Sequence, residues 1–118
     1  MSVWLWGEAF AFTEAIEVPI YLVAFARDGA APRRPPWQRV AIAFTASLLT
    51  HPFVWFVFPR LHGLSYDART VLSEIFAWAV EAALLRSFGL RRAVAWSFAA
   101  NAASLGLGLL SRTLFGFP

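Results

Sequence analysis

Thr13-Glu14-Ala15-Ile16-Glu17-Val18-Pro19 sets two carboxylates three residues apart, near the middle of a largely apolar run, residues 3–26. That run is long enough to cross a bilayer, which needs about 20 residues. A carboxylate at mid-membrane costs about 2.5–3.5 kcal/mol on insertion scales, so such residues are rare and usually face a bundle interior where they act. Which groups elsewhere in the chain meet Glu14 and Glu17 therefore decides both the fold and the function.

The rest of the chain repeats the pattern. Of its 118 residues 59% are hydrophobic and 14% charged, against about 25% charged in an ordinary soluble domain. Further apolar runs at 37–58, 68–85 and 93–114 are separated by arginine-containing loops. These features predict one domain over residues 1–118, an all-α integral membrane four-helix bundle. The first run has no basic leader and no small-residue cleavage site, so it reads as a retained span and not as a signal peptide. Seven arginines (Arg27, Arg33, Arg34, Arg39, Arg86, Arg91, Arg92) lie around the first and third loops, and Arg60, Arg69 and Arg112 on the opposite side. The positive-inside rule then puts both termini outside, N-out and C-out. The expected address is a bacterial inner (plasma) membrane, and the expected partners are the lipid bilayer and further copies in a homo-oligomer. The net charge of +3 resides in these loops and does not point to nucleic acid.

Every span carries polar residues. In span one Glu14, Glu17 and Tyr21 share a helical face, and Pro19 removes a donor and is expected to free the carbonyl of Ala15 beside Glu14 and Glu17. Span two holds Ser47 and His51 four apart, with Thr50 and Pro52 beside them. In span three Glu74, Trp78 and Glu81 follow at i, i+4 and i+7, which predicts one stripe with Trp78 as a wall or cation–π surface. Span four shows Ser97, Asn101, Ser104, Gly108 and Ser111 at steps of four and three. At a rise of about 1.5 Å per residue, Glu74 and His51 fall roughly 10 Å deep, and Glu14, Glu17, Glu81, Asn101, Ser47 and Ser104 fall at or beyond the middle.

No arginine lies deep in any span, and there is no lysine to neutralise the acids. Buried acids without a basic partner imply protons, metal ions, an organic cation or water. Oxygen ligands suit hard divalent cations, and His51 adds an affinity for transition metals. The expected ion-binding set is Glu14, Glu17, Glu74, Glu81, His51 and Asn101. Ser47, Thr50, Ser104, Trp78, Pro19 and Pro52 support it, and Glu14, Glu17, Glu81 and His51 are the candidates for a divalent cation. The chain has no cysteine, which excludes thiolate catalysis, disulfides and cysteine metal sites. It also lacks His-Glu-x-x-His, Gly-x-Ser-x-Gly and paired aspartates.

Four spans in about 110 residues and a glutamate inside span one, here Glu14 followed by Ala15 to Val18, resemble the small multidrug resistance transporters. The resemblance implies proton exchange for organic cations within a dimer. Glu17, His51-Pro52 and the acids of span three lie outside that family's pattern. The residues themselves lead to a small cation channel or transporter for protons or divalent metal. The alternatives are an intramembrane metal-dependent enzyme acting on a lipid or peptide, a proton-coupled small multidrug-type exporter, and a partner subunit of a membrane complex.

Overall fold

The computed structural model describes residues 2–116, and its elements are all helical. Helix α1 is Val3–Asp28, α2 is Pro36–Pro52, α3 is Tyr66–Ser87 and α4 is Ala93–Phe115. A π-helical turn, Phe53–Val57, and a 3-10 turn, Phe58–Arg60, extend α2. Three runs, Val3–Asp28, Pro36–Arg60 and Ala93–Phe115, are long and apolar enough to cross a membrane. Helix α3, with 22 residues, includes Asp67, Arg69, Glu74, Glu81 and Arg86.

Local chemistry accounts for where the helices start. The Ser2 hydroxyl accepts from the backbone N–H of Trp4 at 3.1 Å, and the Ser65 hydroxyl accepts from that of Ala68 at 3.1 Å; each satisfies a donor with no partner inside its helix. Helix α2 begins at Pro36, where a fixed φ and a missing N–H do no harm. The two interior prolines behave differently. At Pro52 the α-helix gives way to the π and 3-10 turns, as expected where a ring removes one ladder bond and crowds the carbonyl of Leu48. At Pro19 the helix continues, and both Pro19 and Ala15 lie on the exposed face. The carbonyl that Pro19 frees therefore sits on the outer side of α1. The expectation that it would lie beside Glu14 and Glu17 is corrected.

Each helix packs against its neighbours in the chain, and α1 closes the ring against α4. The packing is uneven along the bundle axis. Toward the first and third loops the core is dry and tight: Tyr21, Ala24, Ala43, Ala46, Leu85 and Ala100 are fully enclosed. Alanines at these contacts let the helix backbones approach closely. Ala100→Leu is expected to cost about 1–3 kcal/mol, because a packed interface has no room for three more carbons. Thermal or denaturant unfolding in detergent checks it.

The two loops at this end are tied together. The backbone N–H of Ala30 donates to the carbonyl of Gly89 at 2.8 Å, and that of Arg91 to the carbonyl of Asp28 at 2.9 Å. The Asp28 carboxylate also accepts from Trp96 Nε1 at 2.6 Å and pairs with Arg92 at 3.1 Å. Gly89 at φ 89 and Arg92 at φ 56 make the tight turn that brings loop three into place. Trp4 and Trp37 are 76% and 70% exposed, and Trp96 is tied to Asp28.

Candidate functional site

The other half of the bundle is hollow. A cavity of about 340 Å³ runs from the α2–α3 connection toward the middle of the helices. Pro59, Tyr66, Arg69 and Arg112 stand at its mouth. Phe12, Val54, Trp55, Phe58, Leu105 and Leu109 form apolar wall, and Glu17, Thr50, Glu81, Asn101 and Ser104 form the base. The unwound segment after Pro52 turns Val54, Trp55 and Phe58 toward this space, so the break in α2 shapes the cavity.

The acids at the base are built in from every side. Glu17 and Glu81 are each only 1% exposed. Glu17 accepts from Ser47 Oγ of α2 at 2.6 Å and from Ser104 Oγ of α4 at 2.8 Å. Glu81 accepts from Tyr21 of α1 at 2.6 Å, from Thr50 of α2 at 2.7 Å and from Asn101 Nδ2 of α4 at 3.4 Å. Acids from α1 and α3 thus meet under donors from α1, α2 and α4. Without such partners buried carboxyls would be severely destabilising.

Glu74 lines the cavity above this layer and is partly exposed to it. His51 also lines it: Nε2 lies 3.3 Å from Thr13 Oγ1, and the ring sits among Trp6, Phe10 and Trp55. Its Nδ1 is buried without a partner. Ser47 and His51 share a helix face, but Ser47 turns to Glu17 and His51 to Thr13, so no serine–histidine pair forms.

Three expectations are corrected. Glu14, expected beside Glu17 in one site, is absent from the cavity lining. It is 9% exposed, and both of its carboxylate oxygens lack a hydrogen-bond partner. The hydroxyl proton of Ser47 goes to Glu17. Trp78 leaves the Glu74–Glu81 stripe, its place taken by Ala77. Its indole N–H donates to the carbonyl of Val94 at 2.8 Å, and its ring meets Phe98 edge-on. The expected metal set is not assembled: among the described residues no three His, Asp or Glu side chains converge as an ion would require. Glu14 lies off the cavity, His51 turns to Thr13, and the oxygens of Glu17 and Glu81 are taken by hydroxyls and an amide.

Tyr21 shares the face of Glu17 in the sequence but stood outside the expected site, because a position four after Glu17 reads equally well as packing.

The chain matches no protein-family model, no curated protein and no solved structure. The resemblance to small multidrug resistance transporters thus stays confined to Glu14 and its surroundings.

Proposed function

We propose that this protein is a small membrane transporter in which Glu17 and Glu81 bind and release protons at the base of a cavity open to one side. In this reading α3 crosses the membrane with the other three helices. The arginine-rich loops face the cytoplasm and the cavity faces outward.

The observation that carries the proposal is the chemistry of the partners. A hydroxyl donates to a carboxylate and accepts from a carboxylic acid. When Glu17 takes a proton it can donate to Ser104, whose own proton has a second acceptor in the carbonyl of Asn101 at 3.1 Å. Thr50 has the same freedom, with the carbonyl of Ser47 at 3.3 Å. Both protonation states of the base therefore keep their hydrogen bonds, which lowers the cost of changing between them. A divalent metal would need three or more oxygens turned inward together and the hydroxyl protons turned away, so the proton is favoured as the bound cation. The dry packing beyond Tyr21 supports a carrier that exposes its site to one side at a time over a continuously open channel.

Proteoliposomes loaded with a pH-sensitive dye test this. Under an imposed membrane potential the wild-type protein is expected to move protons, and Glu17→Gln to lower the rate by about a hundredfold or more. Equal rates for a folded Glu17→Gln and the wild type would overturn the proposal. Bound metal without proton movement would favour the intramembrane enzyme instead.

A further inference from the structure

The closed end of the bundle carries seven of the ten arginines and one acid, Asp28. Asp28 is already engaged by Trp96 and Arg92, and Arg92–Asp28 is the one ion pair among the described residues. Three other arginines gather around a second, small pocket. Arg33 and Arg34 come from the loop after α1, Arg39 from the first turns of α2, and Phe25, Gly29, Ala30 and Phe88 complete the lining. The pocket measures about 10 Å³, close to the room for a single water.

These three cations have no carboxylate against them among the described residues. Arg33 reaches only the carbonyl of Ala26, at 3.3 Å. Arg34 reaches the carbonyl of Phe88 at 3.4 Å and lies over the Phe88 ring, 5.2 Å from its centroid. The Nε of Arg39 is shut away from solvent with no acceptor at all. Like charges drawn together repel, and a buried donor without an acceptor is unfavourable. The pocket is too small to enclose a phosphate, but an anion seated over its mouth would neutralise the three guanidiniums.

We propose that Arg33, Arg34 and Arg39 form a binding site for a phosphate group. A guanidinium presents paired N–H donors that match phosphate oxygens, and three of them around one pocket exceed what a single carboxylate needs. The neighbouring Trp37 is 70% exposed, as suits a ring at headgroup level. An anionic phospholipid is thus one source of the phosphate and dissolved phosphate the other. The site is independent of the acid pair and of proton movement.

Tryptophan fluorescence tests it, with the full chain in phosphatidylcholine vesicles. Brominated phosphatidylglycerol is expected to quench at lower mole fraction than brominated phosphatidylcholine. Each arginine changed to glutamine should cut that preference by about fivefold. Arg33→Gln, in an exposed loop, is the variant least able to disturb folding. Arg60→Gln, at the other end, should leave the preference intact. If lipid preference is absent but inorganic phosphate raises the unfolding temperature of the wild type and not of Arg33→Gln, the site stands and its ligand is free phosphate. Identical quenching by the two lipids together with no response to inorganic phosphate overturns the proposal, as does a preference that survives replacement of all three arginines.

Discussion

Glu81→Leu is expected to destabilise the protein by about 1–3 kcal/mol, whereas Glu81→Gln keeps the fold and loses proton movement. Leucine fills the space but strands the Tyr21 hydroxyl, the Thr50 hydroxyl and one N–H of Asn101, all of which now point at Glu81. Each stranded donor costs about 1–3 kcal/mol in a water-soluble interior. Inside a membrane, side-chain hydrogen bonds average nearer 0.6 kcal/mol with a maximum of about 1.7, because an unfolded helix in lipid also finds partners. Thr50 has second acceptors within its own helix, so its loss is small. Tyr21 is fully enclosed and its hydroxyl donates to Glu81 at 2.6 Å, so its loss dominates the total. Glutamine accepts from Tyr21 and Asn101 through its amide oxygen and donates through its NH2 to Thr50, which turns its own proton to the carbonyl of Ser47, but it cannot take up or release a proton. Denaturant unfolding in detergent separates the two variants, and flux in liposomes shows the glutamine variant to be silent though folded.

Gly108→Phe is expected to block the cavity while leaving stability unchanged or slightly raised. Gly108 lines the cavity, and a Cβ built there meets nothing nearer than the Phe12 ring at 3.8 Å, an ordinary contact. The new ring would extend into empty space between the mouth and the acid pair. Glycine inside a helix is worse than an ordinary residue by roughly 0.5–1 kcal/mol, so the substitution removes a small penalty. Proton flux should fall by about tenfold or more through the loss of access that the acids need. A parallel unfolding measurement should show no loss of stability. Unchanged flux in a folded variant would mean that protons reach Glu17 and Glu81 by some route other than this cavity.

Much of this site could be read from spacing. Ser47 and Thr50 of span two, and Asn101 and Ser104 of span four, recur at three-residue steps and so had to share a face. Depth counting brought Asn101 level with Glu17 and Glu81, and Ser47 and Ser104 close to them. What spacing could not decide was the rotation of each helix about its own axis. Residues three apart on a helix differ by about 60° around it. That angle is enough to put Glu17 into the cavity and leave Glu14 between helices with no donor. The same ambiguity applies to Trp78 and Ala77, which lie on either side of the Glu74–Glu81 line. The position of α4 decides between them, and a single helix's sequence carries no sign of it. Pro19 and Pro52 look alike in the chain. They differ because the ring of Pro19 faces outward, while the backbone around Pro52 loosens into turns that line a hollow. The clasp of Asp28, Arg92 and Trp96 links residues more than sixty positions apart, and only the closed ring of helices reveals it.

The most direct measurement is infrared difference spectroscopy of the carboxyl C=O stretch during a pH step, on the protein in lipid. The expected result is a protonated-carboxyl band that appears and disappears reversibly with pH, weakened in Glu17→Gln, weakened in Glu81→Gln and absent when both are replaced. A carboxyl band that does not respond to pH, or one that survives both substitutions, would show that the two acids only hold the helices together.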